Sequence, residues 1–467
     1  MYINNLSPVL NIMKKSIVFL LLIVASFCIS PVHAIGQTLS SIDNKQNPPQ
    51  YGKPFGHVPD RRDVTIYQVN MRTFSKEGDF KGVTARLDSI KALGINLIYL
   101  MPIYPVGVLK STNSPYCVKD YLAINTEFGT IKNLRLLVDG AHKRNMAVML
   151  DWVGNHTSFD NPWTKNKDWY KRDSTGKIIS PNGWNDIAQL NFNNADMRST
   201  MISDMKYWVL TANVDGFRCD YSDGPPADFW KQAIDSLRKI PGHHLLMLAE
   251  GQRTANYAAG FDYNFGFNFF EDLEAVYKKN KSVQSIDSLN IANYVGTSDG
   301  QQTVRYITNH DVNSSDGTPL DLFGGKKGSM AAFVVVAYMK GIPMIYNGQE
   351  VGTPYRLTFP FTSTKVDWTL NPNVTAEYKK IIALRNASNA IRRGSLTSYT
   401  NQDICAFTKE AGAEKVLVIS NLRNTPVTFS IPSAVAATSW KDAFTGIKRT
   451  MNSTINLGPY SYIVLKN

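Results

Sequence analysis

Gly216-Phe217-Arg218-Cys219-Asp220 decides the fold, because an arginine and an aspartate close a strand-like run that begins at Val214. The same ending recurs along the chain. Asp151-Trp152-Val153-Gly154-Asn155-His156 follows the apolar Ala147–Leu150, Glu250 follows Leu245–Ala249, and Asn309-His310-Asp311 closes Thr303–Thr308. Outward from these, Val64–Val69, Ile95–Leu100, Phe261–Tyr263 and Met344–Tyr346 complete eight strand candidates. Helical spacing lies between most of them. Phe80, Val83, Leu87 and Ile90 recur at three and four residues, with Gly94 as a stop, and a helix from about Leu134 precedes the third strand. Alternating strand and helix predicts a parallel sheet, and eight units predict a closed (β/α)8 TIM barrel. An open doubly wound sheet is the alternative, but no Gly-rich phosphate loop follows an early strand.

Residues 61–394 are assigned to this barrel, and 157–192 within it to a small insert domain after the third strand, rich in Trp, Asn, Asp and Lys. From 395 to 467 the pattern turns to short β-rich runs, Ile404–Thr408, Lys415–Ile419 and Tyr460–Leu465. These predict a C-terminal antiparallel β-sandwich domain. At the other end, residues 1–34 read as a signal peptide. Met13-Lys14-Lys15 is basic, an apolar run spans Ile17 to Ile29, and Pro31-Val32-His33-Ala34 ends in a small residue. The pattern predicts export, to the periplasm or beyond. A permanent anchor and lipid attachment at Cys28 are the alternatives, and translation starts at Met1 or Met13. Residues 35–60 read as a polar leader with little structure.

A chain of 467 residues, 43% hydrophobic, has ample material for a large core. Its formal charge of +12 invites a nucleic-acid partner, yet its Lys and Arg are scattered, with no basic run longer than a pair. The charge reads as a solvated surface, and no nucleic-acid binding is expected. Beyond the signal, Cys117, Cys219 and Cys405 make an odd set without paired spacing, which predicts neither a disulfide framework nor a zinc site.

The strand ends carry the chemistry, because side chains at the C-terminal ends of barrel strands converge on one site. Their types fit cleavage of a glycosidic bond. A retaining glycosidase needs two carboxyl groups about 5 Å apart, one to attack and one to protonate the leaving oxygen. Asp220 and Arg218 lie two residues apart, so they share a strand face, and the guanidinium favours an ionised nucleophile. Glu250, behind an apolar run, is the candidate acid, whose proton requires burial or neighbouring negative charge. Asp311 is the third carboxylate, placed to hold ring hydroxyls and support oxocarbenium character, with His156 and His310 as hydrogen-bond donors to the same sugar.

In these motifs and their order the chain resembles glycoside hydrolase family 13, the α-amylase family. The resemblance rests on Asp151–His156, Gly216–Asp220, Glu250 and Asn309–Asp311, with Gly94–Ile103 and Gly341–Glu350 at the second and eighth strands, and covers about Asp63 to the C-terminus. It implies an α-retaining mechanism with Asp220, Glu250 and Asp311 in the roles above, acting on starch, glycogen or maltooligosaccharides. It implies that Tyr116 stacks on the sugar at the cleavage point. Asn155 and Asp186 become candidate ligands of a structural calcium, completed by a backbone carbonyl near Gly224. No organic cofactor is implied. Trp163, Trp169 and Trp184 read as core residues of the insert, with the lining of further sugar sites as the alternative.

One departure stands out. Many family members follow the nucleophile with two small residues and then Lys-His, whereas here Tyr221, Ser222, Asp223 and Gly224 follow Asp220. Without that pair, a 4-α-glucanotransferase or an α-glucosidase stands beside an α-glucan hydrolase. A catalytically silent glycan-binding protein is the reading from another class, opposed by the presence of all three carboxylates.

Overall fold

The computed structural model describes residues 47–436 and 438–467. The proposed signal peptide, Met13, Cys28 and the start of the polar leader lie outside them. The described part of the leader has no helix or strand, but it is pinned to the barrel. The Tyr51 hydroxyl donates to Asp139 at 2.7 Å, and Phe55 stacks on His142 with centroids 4.2 Å apart.

Eight parallel strands close a barrel: β1 (Ile66–Val69), β2 (Leu97–Leu100), β3 (Ala147–Val153), β4 (Gly216–Asp220), β5 (Leu246–Ala249), β6 (Tyr263–Phe265), β7 (Gln302–Arg305) and β8 (Ile342–Tyr346). Each strand pairs with its neighbours in sequence, and β1 closes the ring by pairing with both β2 and β8. The open-sheet alternative is thereby excluded. The strands are buried almost throughout, as a sheet covered on both faces requires. The helical run from Phe80 breaks at Arg86 into Phe80–Ala85 and Leu87–Ala92, so one predicted helix is two. At Gly216 a Cβ would stand 1.9 Å from the Leu246 carbonyl oxygen, so the close approach of β4 to β5 below the site requires glycine.

Strand boundaries differ from expectation where chemistry begins. β4 runs on through Asp220, and β3 through Val153. β7 stops early, at Arg305, so Asn309-His310-Asp311 does not end a strand. Asn309 instead caps the short helix His310–Ser315, its side-chain oxygen accepting from the Val312 N–H at 2.8 Å, and Asp311 lies in the first turn. After β3 the chain makes an antiparallel pair, His156–Ser158 with Ile187–Gln189, and two short 3-10 turns between them.

The C-terminal β domain has a six-stranded sheet and a two-stranded one. The larger contains β9 (Ser395–Ser398), β10 (Ile404–Ala411), β11 (Glu414–Asn421), β13 (Trp440–Asp442), β14 (Lys448–Arg449) and β16 (Tyr462–Lys466), in the order β9-β10-β11-β16-β13-β14. The smaller pairs β12 (Val427–Ser430) with β15 (Thr454–Leu457). Alternation along β10 and β11 splits the side chains between two cores. Ile404, Ala406, Leu417 and Ile419 pack with Phe429, Leu457 and Trp440 inside the domain. Cys405, Phe407, Val416 and Val418 join the barrel core instead. The central strands β10 and β11 are therefore buried on both faces and fused to the barrel. Cys117, Cys219 and Cys405 are free and buried. Among the described residues no helix is long and apolar enough to cross a membrane.

Removing the Phe407 ring tests that fusion. Phe407→Ala is expected to cost about 3–5 kcal/mol and to lower the denaturant midpoint of the whole protein. An unchanged barrel transition with only the C-terminal sheet weakened would show that the two do not share a core.

Candidate active site

The site is built around one side chain. Arg218 is wholly buried in the barrel mouth, and neighbouring strands deliver its partners. Register places Asp151 of β3 beside Arg218 of β4. Nη1 donates to Asp151 Oδ1 at 2.7 Å and to Asp220 Oδ1 at 3.0 Å, while Nη2 donates to Glu250 Oε1. A single guanidinium fork thus holds carboxylates from three strand ends. The Glu250 backbone is fixed as well, its N–H donating to the Cys219 carbonyl at 3.0 Å. Its other side-chain oxygen accepts from the Tyr221 N–H at 2.8 Å.

Behind the fork, Asp151 is fully enclosed. It accepts from the Tyr99 hydroxyl at 2.6 Å and from the Tyr116 hydroxyl at 3.1 Å. Burial pushes its carboxyl up to about 6, against the pull of Arg218. Tyr116 also stands 2.7 Å from His310 Nε2, and the Gln68 amide donates to His310 Nδ1 at 2.8 Å. This assigns the proton to Nε2, giving a directed chain from Gln68 through His310 and Tyr116 to Asp151. His310 is thereby an orienting group as much as a donor to a sugar. Burial, with Arg218 nearby, lowers His310 to about 3, and burial lowers His156 to about 4. Both rings are neutral at working pH.

Asp220 corrects an expectation. Arg218 favours its ionised form, but burial and the neighbouring Glu250 outweigh the guanidinium and raise the Asp220 carboxyl well above its usual range. The physical reason is crowding. Asp220 is buried with Glu250, Asp151 and Asp311 close by, and the single guanidinium does not offset burial and all three together. Asp311 is the open member. Its side chain is 63% exposed and faces the cavity, 3.3 Å from His310 Nε2.

The cavity holds about 670 Å³ and is lined by Tyr116, His156, Asp220, Glu250, His310 and Asp311 among others. The structure therefore brings the predicted catalytic and sugar-binding residues to one place, with Arg218 beneath them. It also adds residues. Trp184, expected in the insert core, is instead 41% exposed and lines the cavity. It meets Tyr221 edge to face at 5.3 Å. Tyr221 holds a left-handed backbone, φ 40°, rare for a bulky residue, and its hydroxyl accepts from Asn182 at 2.9 Å. An aromatic wall thus stands beside Asp220, with Tyr221 at the first of the positions where many family members have a small residue. Tyr99 and Gln68 carried no signal in sequence, since each lies inside a buried strand. Asp151 opens a quoted motif but was given no role.

Of the residues expected to hold calcium, Asn155 keeps its side-chain oxygen beside Gly224, where a Cβ built on that glycine would meet it at 2.5 Å. The Asp186 carboxylate accepts from the Thr112 hydroxyl at 2.8 Å on the cavity wall, and the Asn155 amide contacts His156 Nδ1 at 3.3 Å. Among the described residues no three His, Cys, Asp or Glu side chains gather for a metal. A calcium ion takes six to eight oxygens, backbone carbonyls included; Asn155, Asp186 and the carbonyls near Gly224 are the groups that would hold it. No step below is routed through a metal.

Arg218→Lys tests the fork. A point ammonium cannot serve three carboxylates in one plane. The variant is expected to lose about a hundredfold or more in kcat/KM from misplaced carboxylates. Near-native kinetics would contradict the organisation described.

Comparison with known proteins agrees with the geometry. The family model described as alpha amylase, catalytic domain, matches residues 60–394, and that of the alpha-amylase SusG C-terminal domain matches 404–464. Alpha-amylase 3 of Dictyoglomus thermophilum is 26% identical, covering 87% of this chain and 93% of its own length. Among solved structures, a maltogenic alpha-amylase from Thermotoga neapolitana superposes with a TM-score of 0.79 at 23% identity, covering 88% of this chain and 99% of the other. An alpha-amylase from Lactobacillus plantarum gives 0.75 at 26% identity, covering 87% and 99%. Barrel, carboxylate cluster and matches together show that this chain belongs to the α-amylase family, glycoside hydrolase family 13.

Proposed function

We propose that this glycosidase cleaves α-1,4-glucosidic bonds of starch, glycogen or maltooligosaccharides with retention, through a covalent intermediate on Asp220. The observation that carries the reading is the shared Arg218 fork, which places Asp220 and Glu250 about one small region at the cavity floor. Such closeness suits direct attack rather than an intervening water.

Burial, with Glu250 beside it, raises the Asp220 carboxyl in the unliganded site, and the acid role requires Glu250 to hold a proton when substrate binds. A glycosidic oxygen seated against Glu250 draws that proton to the leaving group. Asp220 is left ionised beside Arg218 and attacks the anomeric carbon. The leaving sugar departs with the proton. Glu250, now a carboxylate, takes a proton from water, and the resulting hydroxide character at that oxygen releases the glycosyl unit from Asp220. Tyr116 offers its face to the ring, and Asp311, open to the cavity, accepts from ring hydroxyls.

The aromatic wall of Tyr221 and Trp184 supports a second reading, glucosyl transfer or exo-cleavage, because an apolar face beside the leaving group suits a sugar acceptor over water. We also propose export, on the strength of the basic and apolar pattern from Met13 to Ala34.

With maltoheptaose as substrate, hydrolysis predicts shorter oligosaccharides only. Longer chains would establish transfer, and glucose alone an exo-acting glucosidase. Glu250→Gln is expected to lose about 10²–10⁴-fold on maltoheptaose, yet far less on an α-glucosyl fluoride, whose leaving group needs no acid. Equal losses on both substrates would remove Glu250 from the acid role.

A further inference from the structure

The junction between the barrel and the C-terminal sheet buries a group of cations that hydrolysis does not use. Arg305 ends β7 with its side chain turned outward, over the Phe269 ring at 3.9 Å. It is wholly buried. Nη2 donates to the Asn290 side-chain oxygen at 2.9 Å, but Nε and Nη1 have no partner. Lys340 reaches the same asparagine, donating to the Asn290 carbonyl at 3.2 Å and lying 3.7 Å from the Tyr294 ring centre. Lys409 comes from the opposite side. It shares the barrel-facing side of β10 with Cys405 and Phe407 and is 3% exposed.

Among the described residues no carboxylate forms an ion pair with these cations. On the facing helix Ser285–Ala292, Asp287 accepts from the Ser398 hydroxyl at 2.8 Å through Oδ2, its Oδ1 is buried without a partner, and burial raises its carboxyl. Asp63 serves Arg392 and Arg393, Glu410 serves Lys415, and Glu414 bonds Ser388 and the Ala390 N–H. Arg385, from the helix Pro372–Ala387, adds a further cation near Lys409 and donates to Thr65 and the Arg62 carbonyl. Tyr294 and Tyr257 are the remaining titratable groups that act on Arg305, with the Cys405 thiol. Buried charges without partners are costly, by several kcal/mol per ion. Burial and these cations push Lys409 down to about 7, so the cluster lies near the edge of losing a proton.

We propose that this junction binds a small monovalent anion of the chloride class between Arg305 and Lys409. The unpartnered groups of Arg305 are donors, and neither Arg305 nor Lys409 offers an acceptor to a proton-bearing oxyanion. The ion supplies the missing counter-charge and ties β7 of the barrel to β10 of the C-terminal sheet. It is a stabilising site remote from the carboxylate cluster, and it stands whether or not the proposed substrate is correct.

The test is thermal unfolding of the full chain at pH 6.5 and constant ionic strength, with sodium chloride replacing sodium gluconate. A saturable rise in midpoint is expected, following ligand linkage. Apparent affinity is expected to be more than about tenfold weaker at pH 8.5, as Lys409 loses its proton. Lys409→Met is expected to fold and to lose the chloride dependence, whereas Lys409→Arg keeps it. A bromide-soaked crystal is expected to show anomalous density between Arg305 and Lys409. A midpoint indifferent to the exchange, a Lys409→Met protein that follows the native curve, or a junction without bromide would each overturn the proposal.

Discussion

One buried guanidinium must satisfy more negative charge than it carries. Arg218 donates to Asp151, Asp220 and Glu250 at once and is itself wholly buried. The rest of the site follows from that imbalance. Asp151 is held upward and Asp220 more so, because burial disfavours charge and one cation cannot neutralise a cluster.

Around this centre, polar groups are fixed by the fold, not by solvent. Tyr99 and Tyr116 donate to Asp151, and Gln68 sets the tautomer of His310, which in turn meets Tyr116 and Asp311. These contacts join side chains from β1, β2, β3 and the helix after β7, so a shift in any of them reaches the fork. Such pre-organisation places dipoles before the substrate arrives and avoids reorganising them during reaction. The family relationship and the closed barrel place this centre where enzymes of this architecture work, at the C-terminal ends of the strands.

Much of this was legible in the chain, for physical reasons. Apolar runs of four to six residues ending in Asp, Arg or Glu mark strands that leave a buried layer and meet a polar mouth, and β3, β4 and β5 show it. The seventh such ending was misplaced. Thr308 and its neighbours are buried, so the apolar pattern continues past the true end of β7, and the Asn309 cap is visible only once the helix is seen. Tyr99 and Gln68 were hidden because a buried strand residue looks alike whether it fills space or aims a hydroxyl. Trp184 was misjudged for the converse reason, since a tryptophan in a short insert reads as core until the cavity shows its exposed face. The cation cluster around Arg305 had no sequence signature at all, because its members come from separate elements and meet only through the packing of two domains.

The most direct test of the account is to trap the intermediate. A fluorinated α-glucosyl fluoride that forms the glycosyl-enzyme quickly and releases it slowly should leave one added sugar on the protein. Peptide mass spectrometry is predicted to find it on Asp220, in the segment containing Arg218. A label on Glu250 or Asp311, or full turnover of a good substrate with no covalent adduct at any carboxylate, would contradict the assignment on which the mechanism stands.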